Sequence, residues 1–163
     1  MDIPSKFRAG FGYDVHRLVA NRPLIMAGVK IPFHKGLLGH SDADVLTHSL
    51  CDAILGAACL GDIGRHFPDT DPAYCGISSL VLLERVAKMA ADKGLFLGNA
   101  DITVVAQAPR LAPFIPIMTE ALASVLGTEV DRINIKATTT EGLGFTGAGE
   151  GIAAYSVVSL ISV

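Results

Sequence analysis

The sequence is poor in charge. Only 18% of its 163 residues are Asp, Glu, Lys or Arg, the net charge is −3, and no basic run occurs. A nucleic-acid-binding chain carries a Lys/Arg footprint, so no nucleic acid is expected as a partner. Long apolar runs are also missing. None approaches the roughly 18 consecutive apolar residues of a membrane helix, so no membrane partner is expected. The first ten residues show neither an apolar signal core nor an Arg/Ser-rich transit pattern. A cytoplasmic protein, or a mature chain, is the expectation. Cysteine is scarce: Cys51, Cys59 and Cys75 are odd in number and lack CxxC spacing. They read as reduced thiols, Cys51 and Cys59 as small buried apolar residues. Repeats, linkers and low-complexity stretches are absent.

What is present is apolar mass. Half of the residues are hydrophobic, which is rich for a small monomer and fits a larger assembly that buries surface between subunits. The length fits one domain over 1–163 with a real core, residues 1–6 being a short disordered extension. Residues 7–17 read as a strand and 24–33 as a second strand pairing with it. Ser41 opens a helix in capping-box form, with Asp44 in the place of the usual Glu. Its apolar residues recur at helical spacing to about Leu60, and Gly61 ends it. Residues 61–77 form a loop dense in Gly, Asp and Pro. A second helix spans Ser79 to Lys93, a strand 96–107, and a third helix runs from Pro113 or Pro116 to near Gly127. Strands at 132–139 and 152–162 flank a glycine-rich loop. The expected fold is α+β, a mixed sheet with helices packed on one face. The other sheet face then needs a partner, which identical subunits can supply.

Asp14-Val15-His16 carries the first chemical signal. On a strand, residues i and i+2 share a face, so a carboxylate and an imidazole converge with little entropy to overcome. Alone, this pair also fits a solvated strand edge. On the following helix Asp44, His48 and Asp52 form one stripe, which by itself also fits a solvated face. Taken together, Asp14, His16 and His48 make a three-ligand zinc set with a fourth position for substrate. Asp44 or Asp52 is expected to orient a ligand histidine from behind. His34 and His66 read as ordinary loop or surface residues.

Five segments then form a pattern: G-Y-D-V-H-R (12–17), G-L-L-G-H-S-D-A-D-V (36–45), L-G-D-I-G-R-H-F-P-D-T-D-P (60–72), A-Q-A-P-R-L (106–111) and K-A-T-T-T-E-G-L-G-F-T-G-A-G-E-G-I (136–152). In this order, across almost the whole chain, they resemble the 2-C-methyl-D-erythritol 2,4-cyclodiphosphate synthase family of non-mevalonate isoprenoid biosynthesis. The resemblance implies a homotrimer whose sheets face a common axis, with active sites at the subunit interfaces. It implies zinc on Asp14, His16 and His48, and a second divalent ion, magnesium or manganese, on Glu141. His40 and Thr139 match catalytic positions that stabilise the transition state. Asp62 matches the ribose contact, with Gly64 offering backbone nearby. Ala106, Pro109, Arg110 and Leu111 match a cytosine pocket closed by Thr138 and Thr139. Phe67, Asp69 and Asp71 match a flexible loop over the sugar-alcohol phosphate. Asp14, His16, His40, Ser41, Glu141 and Phe145 complete the implied substrate contacts.

Three positions depart from the family pattern. Ala148 stands where F-T-G-R-G-E has arginine, Tyr13 where phenylalanine is common, and Arg110 where lysine is frequent. The first two match positions that line an axial cavity for prenyl diphosphates in the family. Loss of the bidentate arginine predicts that such an anion is not held in the same way. Arg110 keeps the charge but not the shape of lysine.

The implied reaction is intramolecular phosphoryl transfer. An alkyl phosphate with a second pKa near ~6 is largely ionised at neutral pH and needs no general base. Few Lys or Arg residues lie in the matching segments, so divalent ions must neutralise the phosphates. The helix N-terminus near Ser41 adds amide donors, and loop 61–77 reads as a lid that keeps water out. Two other readings use the same residues. A metal-dependent phosphoesterase differs only in its product, and a non-catalytic trimer binding a metal or apolar ligand has no use for a cytidine pocket.

Overall fold

The structure, a computed structural model, describes residues 7–162. The expected extension at 1–6 lies outside the described residues. A five-stranded mixed sheet is built from β1 (Phe7–Ala20), β4 (Lys35–Leu37), β5 (Leu95–Val105), β6 (Ile133–Thr138) and β7 (Gly151–Ser162) in the order β4-β1-β7-β5-β6. The β5–β6 pair is parallel and the others antiparallel. A parallel neighbour needs a crossover, and α4 (Ile115–Leu126) lies in that connection. Together with α1 (Val45–Ala57) and α3 (Ser79–Ala91), α4 covers one sheet face, and the core lies between the layers.

Alternation along β1 decides where the site forms. Gly10, Gly12, Asp14, His16 and Leu18 share one face, while Phe11, Tyr13 and Val15 point the other way. Helix α1 lies directly on the two glycines. A Cβ on Gly10 would stand 1.9 Å from the Ala53 carbonyl oxygen, and one on Gly12 1.9 Å from that of Ser49. Only hydrogen side chains permit this approach, and it brings the next residue pair of that face, Asp14 and His16, against the first turn of α1.

The opposite sheet face is bare in a single chain. Phe11 is 62% exposed, Tyr13 41%, Tyr155 40% and Val157 51%. Tyr13 and Tyr155 sit opposite each other in register, with ring centroids 5.0 Å apart. Contiguous apolar surface of this kind marks an interaction face.

Three sequence expectations are corrected. Residues 24–33 do not pair with β1: β2 (Leu24–Met26) and β3 (Val29–Ile31) form their own hairpin, and β4 takes the edge of β1. Ser41 does not cap α1. Ala43 has a left-handed φ of 57°, which breaks helical continuity. Asp44 is the cap, accepting from Thr47 N at 3.0 Å and Thr47 Oγ1 at 2.8 Å. Gly61 does not end the helix, whose C-cap is Ala58. Between 61 and 77 the chain forms a short helix, α2 (Ile63–His66), and a 3-10 turn at Pro72–Tyr74. A further four-residue helix, α5 (Gly144–Gly147), lies in the glycine-rich loop. Gly127 closes α4 in a left-handed conformation, as its position suggested.

Candidate active site

Strand β1 and helix α1 deliver Asp14, His16 and His48 to one point. Asp14 Oδ2 lies 2.9 Å from His16 Nε2 and 3.1 Å from His48 Nδ1. The two ring nitrogens are 3.2 Å apart. Three atoms so spaced form a triangle with nearly equal edges. Ligands about 2.0–2.1 Å from a tetrahedral ion stand about 3.3 Å apart, so the triangle fits one face of such a site. The donor set, one carboxylate and two imidazoles, suits a borderline divalent ion.

The electrostatics agree with an anion shared by two imidazoles. Burial alone raises the Asp14 carboxyl, but the two imidazoles set against it, His16 foremost, outweigh it and hold its pKa at about 2. Burial lowers His16, yet the Asp14 hydrogen bond and charge more than offset this and raise it above its ordinary value.

The outer nitrogens of the two histidines are also occupied. His16 Nδ1–H donates to the Leu38 carbonyl at 2.8 Å, which leaves Nε2 facing Asp14. His48 Nε2 lies 2.8 Å from Ser79 Oγ and 3.2 Å from Ser41 Oγ. The expectation that Asp44 or Asp52 orients a ligand histidine is therefore corrected. Buried Asp44 is spent on the α1 cap and on Gly28 N at 2.8 Å. Asp52 accepts from Ile63 N at 2.7 Å and anchors α2. Ser79 was not anticipated, because in sequence it is only the start of an apolar helix. Arg22 was also missed: its guanidinium donates to the Ser41 carbonyl at 3.2 Å and braces the segment leading into α1.

A cavity of about 400 Å³ opens beside the triad. His16, His40, Ser41 and His48 form its floor, and Ile63, Gly64, Phe67, Pro68 and Asp69 its outer wall. The wall is an organised segment. Asp62 caps α2 through Arg65 N at 2.9 Å, Asp71 caps the following turn through Ala73 N at 2.9 Å, and Phe67 packs edge-on against Tyr74 at 5.4 Å. His40 Nε2 lies 3.3 Å from the Asp71 carbonyl, so floor and wall touch.

The other expected residues gather elsewhere. Ala106, Pro109, Arg110, Leu111, Thr138 and Thr139 line a second cavity of about 350 Å³ at the end of β5 and β6. Gln107, from the same 106–111 segment, also lines it and accepts from Gly142 N at 3.3 Å. Thr139 Oγ1 donates to Glu141 Oε1 at 3.2 Å, which places Glu141 beside this second cavity. Phe145 packs near Gly151 and borders a smaller hollow with Val15, His16 and Arg17. The sheet register measures the separation. Asp14 pairs with Ala154, Ala154 with Val104, and Val104 with Ala137. Three interstrand steps of about 4.8 Å put roughly 14 Å between the strands that carry the two groups. One chain holds both halves of the expected site, on strands three places apart in the sheet.

A family model described as the YgbB family matches residues 7–161. The chain is 64% identical over 154 residues to the 2-C-methyl-D-erythritol 2,4-cyclodiphosphate synthase of Pelobacter propionicus, covering 94% of this chain and 98% of that one. The solved structure of a bifunctional IspDF from Campylobacter jejuni superposes with a TM-score of 0.93 at 48% identity, covering 96% of this chain and 42% of that larger one. A solved 2C-methyl-D-erythritol-2,4-cyclodiphosphate synthase in a CDP-bound form superposes with a TM-score of 0.87 at 38% identity, covering 94% of this chain and 99% of that one.

Proposed function

The chain belongs to the YgbB family, the family of its 2-C-methyl-D-erythritol 2,4-cyclodiphosphate synthase relatives, and on that basis we propose that it is a metal-dependent cyclase acting as a phosphorus–oxygen lyase. Its substrate is 4-diphosphocytidyl-2-C-methyl-D-erythritol 2-phosphate, and its products are the 2,4-cyclodiphosphate and CMP, in non-mevalonate isoprenoid precursor biosynthesis. An oxygen of the 2-phosphate bonds to the β-phosphorus, and the bond from that phosphorus to the oxygen bridging it to the α-phosphorus breaks. CMP leaves with the electron pair.

The observation that carries this reading is the near-equilateral ligand triangle of Asp14, His16 and His48 opening into a cavity lined by His40, Ser41 and Gly64. Asp14, His16 and His48 would hold zinc, and Glu141 a magnesium or manganese ion. When bound, these ions supply charge neutralisation and align the attacking and leaving oxygens. The protein does the rest by placement. His40 and Thr139 donate to phosphate oxygens as charge develops on them, and Ser41 offers a hydroxyl on the cavity floor. Asp62 takes the ribose, the 106–111 segment with Thr138 and Thr139 takes cytosine, and Phe145 contacts the bound substrate. Phe67, Asp69 and Asp71 cover the methylerythritol end. Holding both ends of one molecule in attack geometry contributes up to about 7–11 kcal/mol in favourable intramolecular cases, and the wall over the cavity keeps hydrolysing water out.

The nucleotide half at Thr138 to Glu141 lies three strands away from the triad in the sheet, and the Phe11, Tyr13, Tyr155 and Val157 face is bare. Both features support a homotrimer of single-domain subunits around a common axis, each triad completed by a neighbour's nucleotide pocket. Assembly also explains the apolar composition. A cytoplasmic location fits a chain in which no helix among the described residues is long and apolar enough to cross a membrane.

Phosphorus NMR of the purified protein with this substrate, with zinc and magnesium and then with EDTA, tests the reading. Cyclic diphosphate plus CMP, abolished by chelator, is the expected outcome. CMP with a linear product overturns it in favour of a phosphoesterase. Zinc bound with no turnover leaves a non-catalytic trimer.

A further inference from the structure

One cluster around a buried hydroxyl is left unused by this chemistry. Ser79, the first residue of α3, is fully buried. Its backbone N–H donates to Asp42 Oδ2 at 3.0 Å, and its hydroxyl donates to Asp42 Oδ1. The same hydroxyl oxygen lies 2.8 Å from His48 Nε2. A hydroxyl has one proton. Once that proton is given to a carboxylate, the Ser79 oxygen offers His48 only lone pairs, so Nε2 must be the donor. A neutral imidazole protonated at Nε2 carries its lone pair on Nδ1, the atom that faces Asp14 and His16.

We propose that Asp42 and Ser79 are positioning residues of the metal centre: a carboxylate–hydroxyl relay that fixes the tautomer and ring orientation of His48. The inference rests on reading Asp14, His16 and His48 as metal ligands. A simple α3 cap does not account for it, since a cap needs only the Ser79 backbone, whereas here the side chain is inserted between carboxylate and imidazole. The relay also has a consequence for Ser41. Its oxygen lies farther from His48 Nε2, at 3.2 Å, and accepts from Ala43 N at 3.1 Å. With the His48 proton taken by Ser79, the Ser41 hydroxyl keeps its own proton for a ligand oxygen in the cavity it lines.

The test is made on the full chain. Nitrogen-15 NMR of the metal-free protein at mildly alkaline pH reads the His48 tautomer directly, and competition with a chromophoric chelator reads zinc affinity. The expected results are an Nε2–H tautomer in the wild type, and in Ser79→Ala a loss of that preference with roughly 10–100-fold weaker zinc binding. Ser79→Thr, which keeps the hydroxyl, restores both. An Nδ1–H tautomer in the wild type overturns the relay whether or not the variant folds. So does a Ser79→Ala protein with unchanged tautomer and affinity. A wild type that binds zinc with His48 in the Nε2–H form but makes no cyclic product supports the relay and overturns the cyclase. One that binds no zinc overturns both.

Discussion

Gly12 of β1 and Ser49 of α1 set the distance between sheet and helix at the site, since a Cβ on Gly12 would stand 1.9 Å from the Ser49 carbonyl oxygen. The obstacle is backbone, which cannot rotate away as a side chain can. Gly12→Ala must therefore push α1 off the strand, and His48 moves with α1 while Asp14 and His16 stay on β1. The expected result is a destabilisation of about 1–3 kcal/mol or more from overpacking, together with loss of zinc binding, checked by chemical denaturation and metal analysis. Full zinc occupancy in a folded Gly12→Ala protein would show that this contact does not set the site.

Asp44 gives a contrasting prediction. It is buried and accepts from Gly28 N, Thr47 N and Thr47 Oγ1. Asp44→Ala removes a helix cap, worth about 0.5–2 kcal/mol, and leaves a buried donor at Gly28 unsatisfied at about 1–3 kcal/mol. A clear fall in unfolding midpoint is expected, with zinc affinity of the folded fraction close to wild type. A selective loss of zinc affinity without loss of stability would instead restore Asp44 as a partner of a ligand histidine.

Much of this was legible in the sequence, and the exceptions share a cause. The long strands and three main helices follow from apolar periodicity, which is local, and Asp14 and His16 share a face because a strand alternates. The fate of Asp42, Asp44 and Asp52 was not legible. Each carboxylate serves a backbone donor that lies outside its own helix stripe or in a distant segment: Asp42 the start of α3, Asp44 the hairpin turn at Gly28, Asp52 the start of α2. Spacing on one helix shows which residues share a face but not which non-local donor reaches them. The hairpin at 24–31 was merged into one strand for a similar reason, since the turn at Ala27 and Gly28 relies on a left-handed φ of 48° at an alanine, which carries no turn signal.

The bare sheet face predicts how assembly and metal binding separate. Tyr155→Glu places a charge where the tilted rings of Tyr13 and Tyr155 now meet. If this face is buried between copies, the uncompensated charge must cost several kcal/mol in the assembly and little in the monomer. The expected outcome by light scattering is dissociation. The monomer keeps zinc, because all three ligands are on one chain, and loses turnover. An assembly that survives Tyr155→Glu intact would move the interface elsewhere.

The division of the site between chains has a quantitative test in mixed assemblies. His48→Ala removes a ligand from the triad, and Glu141→Ala removes the carboxylate beside the nucleotide cavity, so each pure variant is expected to be inactive. Suppose equal amounts are unfolded together and reassembled, and each site takes its triad from one subunit and its Glu141 from the neighbour. An intact site then needs a Glu141→Ala subunit supplying the triad beside a His48→Ala subunit supplying Glu141. Random mixing in a cyclic trimer makes this arrangement about a quarter of all sites. Recovery of about a quarter of wild-type turnover is therefore expected, measured as CMP release. If one chain closed its own site across the sheet, every site in the mixture would carry one lesion and turnover would stay at the level of the separate variants. The roughly 14 Å between the two carrying strands argues for the first outcome, because neither Glu141 nor Thr139 can cross it without unpairing β6 from β5.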